Sequence, residues 1–275
     1  MATSNRADIG FAEVNGTRLY YEVQGTGQPL TMIHGGLVNL RSWDSQVVAF
    51  APDYKVIRYD LRGMGASDAL ITAPFSHEED LYSLLKFLGI EHTYLLGLSF
   101  GGRTAIDFTL AHPEMVDALI LASSSIVGYP FSEESKRLWA EIDEAAEKGD
   151  IDQAVELETR MWIDGPERTL EQVDPVVRKL VYNWNRHNFD LMLREGQAES
   201  VTPEPPAITR LSEIAVPTLV IVGDKDLRDI QNIADRLAQE IKGAQKVVIP
   251  GVAHAPNMEK PAEFNQAVLD FLKTV

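Results

Sequence analysis

Gly97-Leu98-Ser99-Phe100-Gly101 sets a serine between two glycines, where an apolar stretch gives way to a helix-forming one. On a sharp strand-to-helix turn a serine hydroxyl is exposed in a strained backbone. The glycines let neighbouring chains pass closely, and the helix N-terminus favours developing negative charge. The chemistry open to such a serine is attack on a carbonyl, provided a base takes its proton. Of six histidines, His254 in Pro250-Gly-Val-Ala-His-Ala-Pro256 is the expected base, because it follows a strand-like run and precedes the last helix. His112 reads as a helix C-cap, His77 as a helix start and His92 as a strand opener, so none of them reaches Ser99. His187 reads as a pocket residue or, more simply, a surface helix position. The base needs an acid to hold its tautomer and stabilise the imidazolium. Asp226, in Gly223-Asp-Lys-Asp226, is the expected acid; Asp224 competes, with turn shaping through side-chain-to-backbone bonds as its expected role. His34-Gly35-Gly36-Leu37 follows another strand-like run and forms a Gly-rich turn able to present an N–H to an oxyanion. Gly36 and Phe100 supply the expected N–H pair, worth a few kcal/mol in such sites.

Two periodicities alternate in the chain that must position these groups. Strand-like runs fall at Arg18–Val23, Leu30–His34, Lys55–Tyr59, Tyr94–Leu98, Ala118–Ala122, Thr218–Val222 and Lys246–Ile249. The first alternates and is expected at a sheet edge; the others are continuous and apolar, as in strands buried on both faces. Helical patterns separate them at Ser76–Leu88, Gly101–Ala111, Asp229–Ile241 and Ala262–Leu272, with Pro261 suited to a first turn. The alternation predicts an α/β protein with a doubly wound, mainly parallel sheet and ligands at the strands' carboxyl ends. From about residue 129 to 209 the strand rhythm stops and helix formers dominate, at Glu133–Lys148, Ile151–Trp162 and Asp174–Asn183. The expected division is a core of residues 1–128 and 210–275 with a helical insertion at 129–209.

Composition removes other classes. The chain has 275 residues, 41 acidic against 25 basic, a net charge of −16 and no cysteine. Disulfides, thiolate metal sites and a cysteine nucleophile are excluded. The acidity argues against nucleic acid and anionic membrane surfaces as partners. No apolar run is long enough to cross a bilayer and no signal-peptide pattern opens the chain, so a cytoplasmic location is the default expectation. No metal set emerges, since His77-Glu-Glu-Asp-Leu is not His-Glu-x-x-His. Residues 131–175 hold 14 acidic and five basic side chains. That excess reads as a solvated helical face or, more sharply, as a field that disfavours anionic substrates.

His34-Gly-Gly with Trp43 downstream, Asp60-Leu-Arg-Gly-Met-Gly-Ala-Ser67, the Ser99 turn, Gly223-Asp-Lys-Asp226 and His254 together resemble the α/β-hydrolase superfamily, whose Ser, Asp, His order they share. The resemblance implies an α/β-hydrolase fold, an insertion acting as a cap over the site, and a turn-bracing role for Asp60 and Arg62. More narrowly, Met161-Trp-Ile-Asp-Gly-Pro166 and His254-Ala-Pro-Asn-Met-Glu-Lys-Pro261 are similar to 3-oxoadipate enol-lactonase-like hydrolases and related carboxylesterases. That likeness implies cofactor-free acyl transfer from a small-molecule ester or lactone to water, with Trp162, beside Gly35 and Leu37, against the substrate. The other aromatics of the insertion, such as Trp139 and Tyr182, are expected in its core. Ser99 at the turn sets aside dehalogenases and epoxide hydrolases, which carry aspartate there. Ala255 after His254 lowers a C–C bond hydrolase reading without removing it. Perhydrolases and hydroxynitrile lyases share the triad, and a hydrolase-fold receptor without turnover is the alternative from another class. The oligomeric state is left open.

Overall fold

Apolar runs flanked by Gly, Pro or Asp become strands, and the computed structural model, which describes residues 7–68, 74–195 and 200–275, assembles them into one sheet. The strands are β1 (Asp8–Val14), β2 (Thr17–Gln24), β3 (Gln28–Ile33), β4 (Tyr54–Tyr59), β5 (Thr93–Leu98), β6 (Val116–Ala122), β7 (Thr218–Gly223) and β8 (Gln245–Ile249). They lie in the order β1-β2-β4-β3-β5-β6-β7-β8, with β1 and β2 antiparallel to their neighbours and the rest parallel. The Arg18–Val23 strand is therefore not at the edge as its alternation suggested. β1 pairs outside it, from Asp8↔Val23 to Val14↔Thr17, and takes the solvent-facing edge.

Successive residues of the inner strands feed opposite faces. On β6, Leu119 and Leu121 join a core with Leu81, Leu84 and Leu85 of α2 (His77–Phe87), Ile106 and Phe108 of α3 (Phe100–Ala111), and Ile230 and Ile233 of α7 (Arg228–Glu240). Ala118 and Ile120 join the other core, with Val47 and Phe50 of α1 (Asp44–Phe50) and Phe264, Val268 and Phe271 of α9 (Pro261–Leu272). A one-turn helix, α8 (Pro256–Glu259), precedes α9. The chain reverses direction across the sheet between β3 and β5, whose ends align at Ile33↔Gly97. That switch point brings the carboxyl ends of the two strands side by side.

Between β6 and β7 the described residues form helices α4 (Glu133–Glu147), α5 (Ile151–Thr159) and α6 (Pro175–Glu195). A single π-helical turn, Arg160–Asp164, follows α5 where a continuous helix to Trp162 was expected. The third helix runs well past Asn183. Its continuation was hidden because the inward positions there are Asn185 and Asn188, both buried, so the apolar period is broken. No helix among the described residues is long and apolar enough to cross a membrane.

Candidate active site

Ser99 joins β5 to α3 at φ 54° and ψ −112°, a strained conformation for a residue with a side chain. The turn is held by Ser99 N–H donating to the Ala122 carbonyl at 2.8 Å and by the Ser99 carbonyl accepting from Arg103 N–H at 3.1 Å. Glycine is required behind it, since a Cβ on Gly101 would drive into the carbonyls of Ile33 and His34.

The carboxyl ends of β7 and β8 bring the other two groups. Ser99 Oγ lies 2.7 Å from His254 Nε2, and His254 Nδ1 lies 2.9 and 3.0 Å from the two Asp226 carboxylate oxygens. With an acceptor at Nδ1, the consistent tautomer carries its proton there and leaves Nε2 to accept from the Ser99 hydroxyl. Asp226 is 2% exposed and is oriented by Leu227 N–H at 2.8 Å, while Gln231 Nε2 holds its carbonyl at 2.7 Å. Asp224 behaves differently. Its carboxylate accepts Gly251 N–H at 2.5 Å, tying the turn after β7 to the end of β8.

His34 is fully buried, donates from Nδ1 to the Gly35 carbonyl at 2.7 Å and accepts Leu61 N–H on Nε2 at 3.0 Å. Burial pulls its imidazole below the ordinary range, which keeps it neutral in this role. It fixes the turn after β3 against the serine: a Cβ on Gly35 would sit 3.4 Å from Ser99 Cβ, and one on Gly36 3.9 Å from Phe100 Cβ. The first N–H groups of α3 have no intrahelical acceptor, so Phe100 N–H stays available beside Gly36. Asp60 and Arg62 brace their surroundings. Asp60 accepts from Leu40 N–H and Ala66 N–H, both at 2.8 Å, and Arg62 grips Asp80.

Trp162 takes a place the sequence did not indicate. Its ring centroid is 4.4 Å from that of His254 and its carbonyl accepts His254 N–H at 3.3 Å. Gly165 closes the same turn at φ 74°, where a Cβ would lie 2.5 Å from the Lys225 carbonyl and 3.0 Å from Ala253 Cβ. The turn is thus wedged between the loops of Asp226 and His254. Arg168, also unforeseen, reaches from this segment to Glu259 at 2.7 Å and to the Gly251 carbonyl at 3.1 Å. At the start of the helical block, Asp229 accepts from Ser132 N–H at 3.1 Å, Ser132 Oγ at 2.7 Å and Ser135 Oγ at 2.6 Å. No sequence signal announces these contacts, which join residues far apart in the chain.

A cavity of about 570 Å³ lies between the helical block and the core, with Gly36 and Leu37 at one end and Ile142, Glu158, Asn185 and Phe189 on the block side. Trp162 is not among its described lining residues; it packs on His254 instead. His77 lines the cavity, with its ring centroid 4.9 Å from that of Phe100, and three other histidines lie elsewhere. His112 stacks on Tyr82 at 4.4 Å, His92 faces Asp117 at 3.5 Å, and His187 is exposed near the Gly65 carbonyl at 3.2 Å. Among the described residues no three His, Asp or Glu side chains gather as a metal-binding group.

Residues 28–261 match the model of the alpha/beta hydrolase fold. The chain belongs to the α/β-hydrolase family. It is 28% identical over 93% of its length to a 2-hydroxy-6-oxononadienedioate/2-hydroxy-6-oxononatrienedioate hydrolase of Burkholderia vietnamiensis, covering 91% of that protein. It is 27% identical over 92% of its length to a pimeloyl-[acyl-carrier protein] methyl ester esterase of Pectobacterium atrosepticum, covering 98% of it. Among solved structures, the enol-lactonase of Burkholderia xenovorans superposes with a TM-score of 0.78 at 25% identity, over 96% of this chain and 100% of that one. These relatives, named as C–C hydrolase, esterase and enol-lactonase, support enzyme activity for this α/β hydrolase.

Proposed function

We propose that the protein is a serine hydrolase of small carboxylic esters or lactones, working through an acyl-enzyme on Ser99 without a cofactor. The observation that carries this reading is the hydrogen-bonded line Ser99 Oγ, His254 Nε2, His254 Nδ1, Asp226, at 2.7 and 2.9 Å. Ser99 Oγ attacks the substrate carbonyl and its proton passes to His254 Nε2. Asp226 holds the Nδ1 proton and stabilises the imidazolium. The tetrahedral oxyanion is received by the N–H groups of Gly36 and Phe100, and the leaving group takes the proton from His254. Water, deprotonated by the same imidazole, then releases the acid. The helical block at 129–209 acts as a cap on a core of residues 1–128 and 210–275. Gly35 packs behind the nucleophile, Leu37 contacts the substrate, and Trp162 supports the base.

The names of the esterase and enol-lactonase relatives support this substrate class. A second reading, hydrolysis of a C–C bond in a 2-hydroxy-6-oxo-dienoate, rests on the Burkholderia vietnamiensis relative. A panel of short aryl esters, enol-lactones and such dienoates, assayed with wild type and Ser99→Ala, separates the two. Esters or lactones are expected to turn over and Ser99→Ala to lose nearly all of it. Turnover of the dienoates alone selects the second reading, and ester hydrolysis that survives Ser99→Ala removes Ser99 from the chemistry.

A further inference from the structure

The cavity beside the Gly36–Leu37 turn has an uneven charge. Arg62 is the one Lys or Arg among its described lining residues, and its charge is matched by the Asp80 carboxylate. Its Nε and Nη2 hold the Asp80 carboxylate at 2.8 and 2.5 Å, Nη2 also donates to the Asn15 carbonyl at 2.7 Å, and its side chain is 4% exposed. His77 lines the cavity as well. Burial, then the charges of Arg103 and Arg62, pulls its imidazole down to about 3, so it adds no positive charge near neutral pH. Asp143 and Glu158 pair with no cation among the described residues.

Glu158 is the more telling of the two. It sits on the last turn of α5 inside the cavity wall, and Asn185 Nδ2 donates to its Oε2 at 2.7 Å. Its Oε1 has no hydrogen-bond partner among the described residues. Burial pushes its carboxyl above the ordinary range against the Asn185 bond, and Asp143 adds to the rise. A carboxylate oxygen that borders the cavity without a partner among the described residues can accept from a ligand's donor. The wall between it and the Gly36–Leu37 turn is largely apolar, with Met64, Ile142 and Phe189, suiting a short carbon chain.

We propose that Glu158, with the exposed Asp143 at the rim, sets specificity in this cavity: it takes the end of a substrate that bears a hydrogen-bond-donating alcohol or amine and rejects a carboxylate. The proposal rests on the assignment of Ser99 as nucleophile, and it names the substrate class of that site. A donor completes the Glu158 carboxyl through a charge-assisted bond. A carboxylate meets the like charge of Glu158 and Asp143, and the one cation among the described lining residues, Arg62, is already paired with Asp80. A nonadienedioate, with two carboxylates, is therefore a poor fit, which weighs against the C–C reading.

The test uses matched esters that end in methyl, hydroxyl, ammonium or carboxylate, placed at the far end of the acyl chain in one set and of the alcohol in another. In one of the sets, hydroxyl or ammonium is expected to exceed carboxylate by about tenfold or more in kcat/KM. Glu158→Gln is expected to shrink that ratio at least about fivefold, mainly through KM. Glu158→Met serves if the glutamine variant does not fold, and Asp143→Asn is expected to have the smaller effect of a solvated charge. Equal rates across both sets, or a preference that persists in the Glu158 variants, overturns the proposal. A preference abolished by salt alone assigns it to the general acidic field of the block and likewise overturns the role of Glu158. Failure of the hydrolase reading looks different: no ester is turned over and a fluorophosphonate does not label Ser99. The corresponding non-hydrolysable amides, read by thermal shift, then still report whether the cavity prefers donors over carboxylates.

Discussion

The Arg168 guanidinium grips the Glu259 carboxylate with two hydrogen bonds, at 2.7 and 3.1 Å, and both side chains are under 5% exposed. The remaining guanidinium protons go to the carbonyls of Ile163, Asp164 and Gly251. This one ion pair fastens the turn carrying Trp162 to the loop carrying His254. Removing one partner strands the other charge in the interior. Arg168→Met is expected to cost about 3–5 kcal/mol in urea unfolding and to lower kcat more than it raises KM. Arg168→Met with Glu259→Met should recover part of the stability. Single and double variants of equal stability would sink the coupling.

Asp226 and Asp224 lie two residues apart with different work. Both Asp226 oxygens face His254, whereas Asp224 holds Gly251 N–H. Asp226→Asn is expected to lower kcat by roughly 10⁴-fold with the fold intact. Asp224→Asn should cost about 1 kcal/mol of stability and less than about tenfold in kcat. Steady-state kinetics on one activated ester decides, and the reverse ranking would move the acid to Asp224.

Ser99 keeps its positive φ for position, not for stability. Ser99→Gly should therefore raise the unfolding free energy by about 1 kcal/mol while dropping ester hydrolysis to background, a loss of about 10⁴-fold or more. Ser99→Ala should lose the same activity without the stability gain. Paired thermal melts check this; identical melting temperatures for the two variants would show that the turn is unstrained.

Asp107, on α3, is buried 4.0 Å from Arg103. Burial pushes its carboxyl up from 3.8 to about 7, Glu78 adds to this, and Arg103 and Arg210 oppose it. A carboxyl whose pKa is raised in the folded state favours folding when protonated. Its contribution is full below the ordinary value of 3.8 and is lost as pH rises through about 7. Asp107→Asn is expected to flatten the stability profile in that window, by an amount on the order of a few kcal/mol. Urea unfolding across the range reads it directly, and parallel profiles for wild type and variant would refute it.

What was legible in the sequence follows from physics. Inner strands are covered on both faces, so each reads as an unbroken apolar run between turn residues. β1 escaped because an edge strand exposes one face, and Ile9 and Phe11 stand 53% and 43% exposed. The far half of α6 escaped because Asn185 and Asn188 fill its inward positions. Ser99, Asp226 and His254 announced themselves through strand-end position and order, since each follows a strand's carboxyl end. Arg168 and Glu259 are 91 residues apart and sit in no periodic pattern, so only the folded chain pairs them. Trp162 was picked out by its motif, but its contact with the base depends on the winding of one π-helical turn.

The moorings of the helical block have a consequence for engineering. Asp229, three residues beyond Asp226, holds Ser132 and Ser135, and Glu259, five beyond His254, holds Arg168. A grafted block that lacks those hydroxyls and that guanidinium would leave the two segments beneath with unpaired buried carboxylates. The block and the two segments therefore have to be exchanged together. A successful chimera is one whose seams fall outside both anchor points, or which carries Ser132, Ser135 and Arg168 across with the graft.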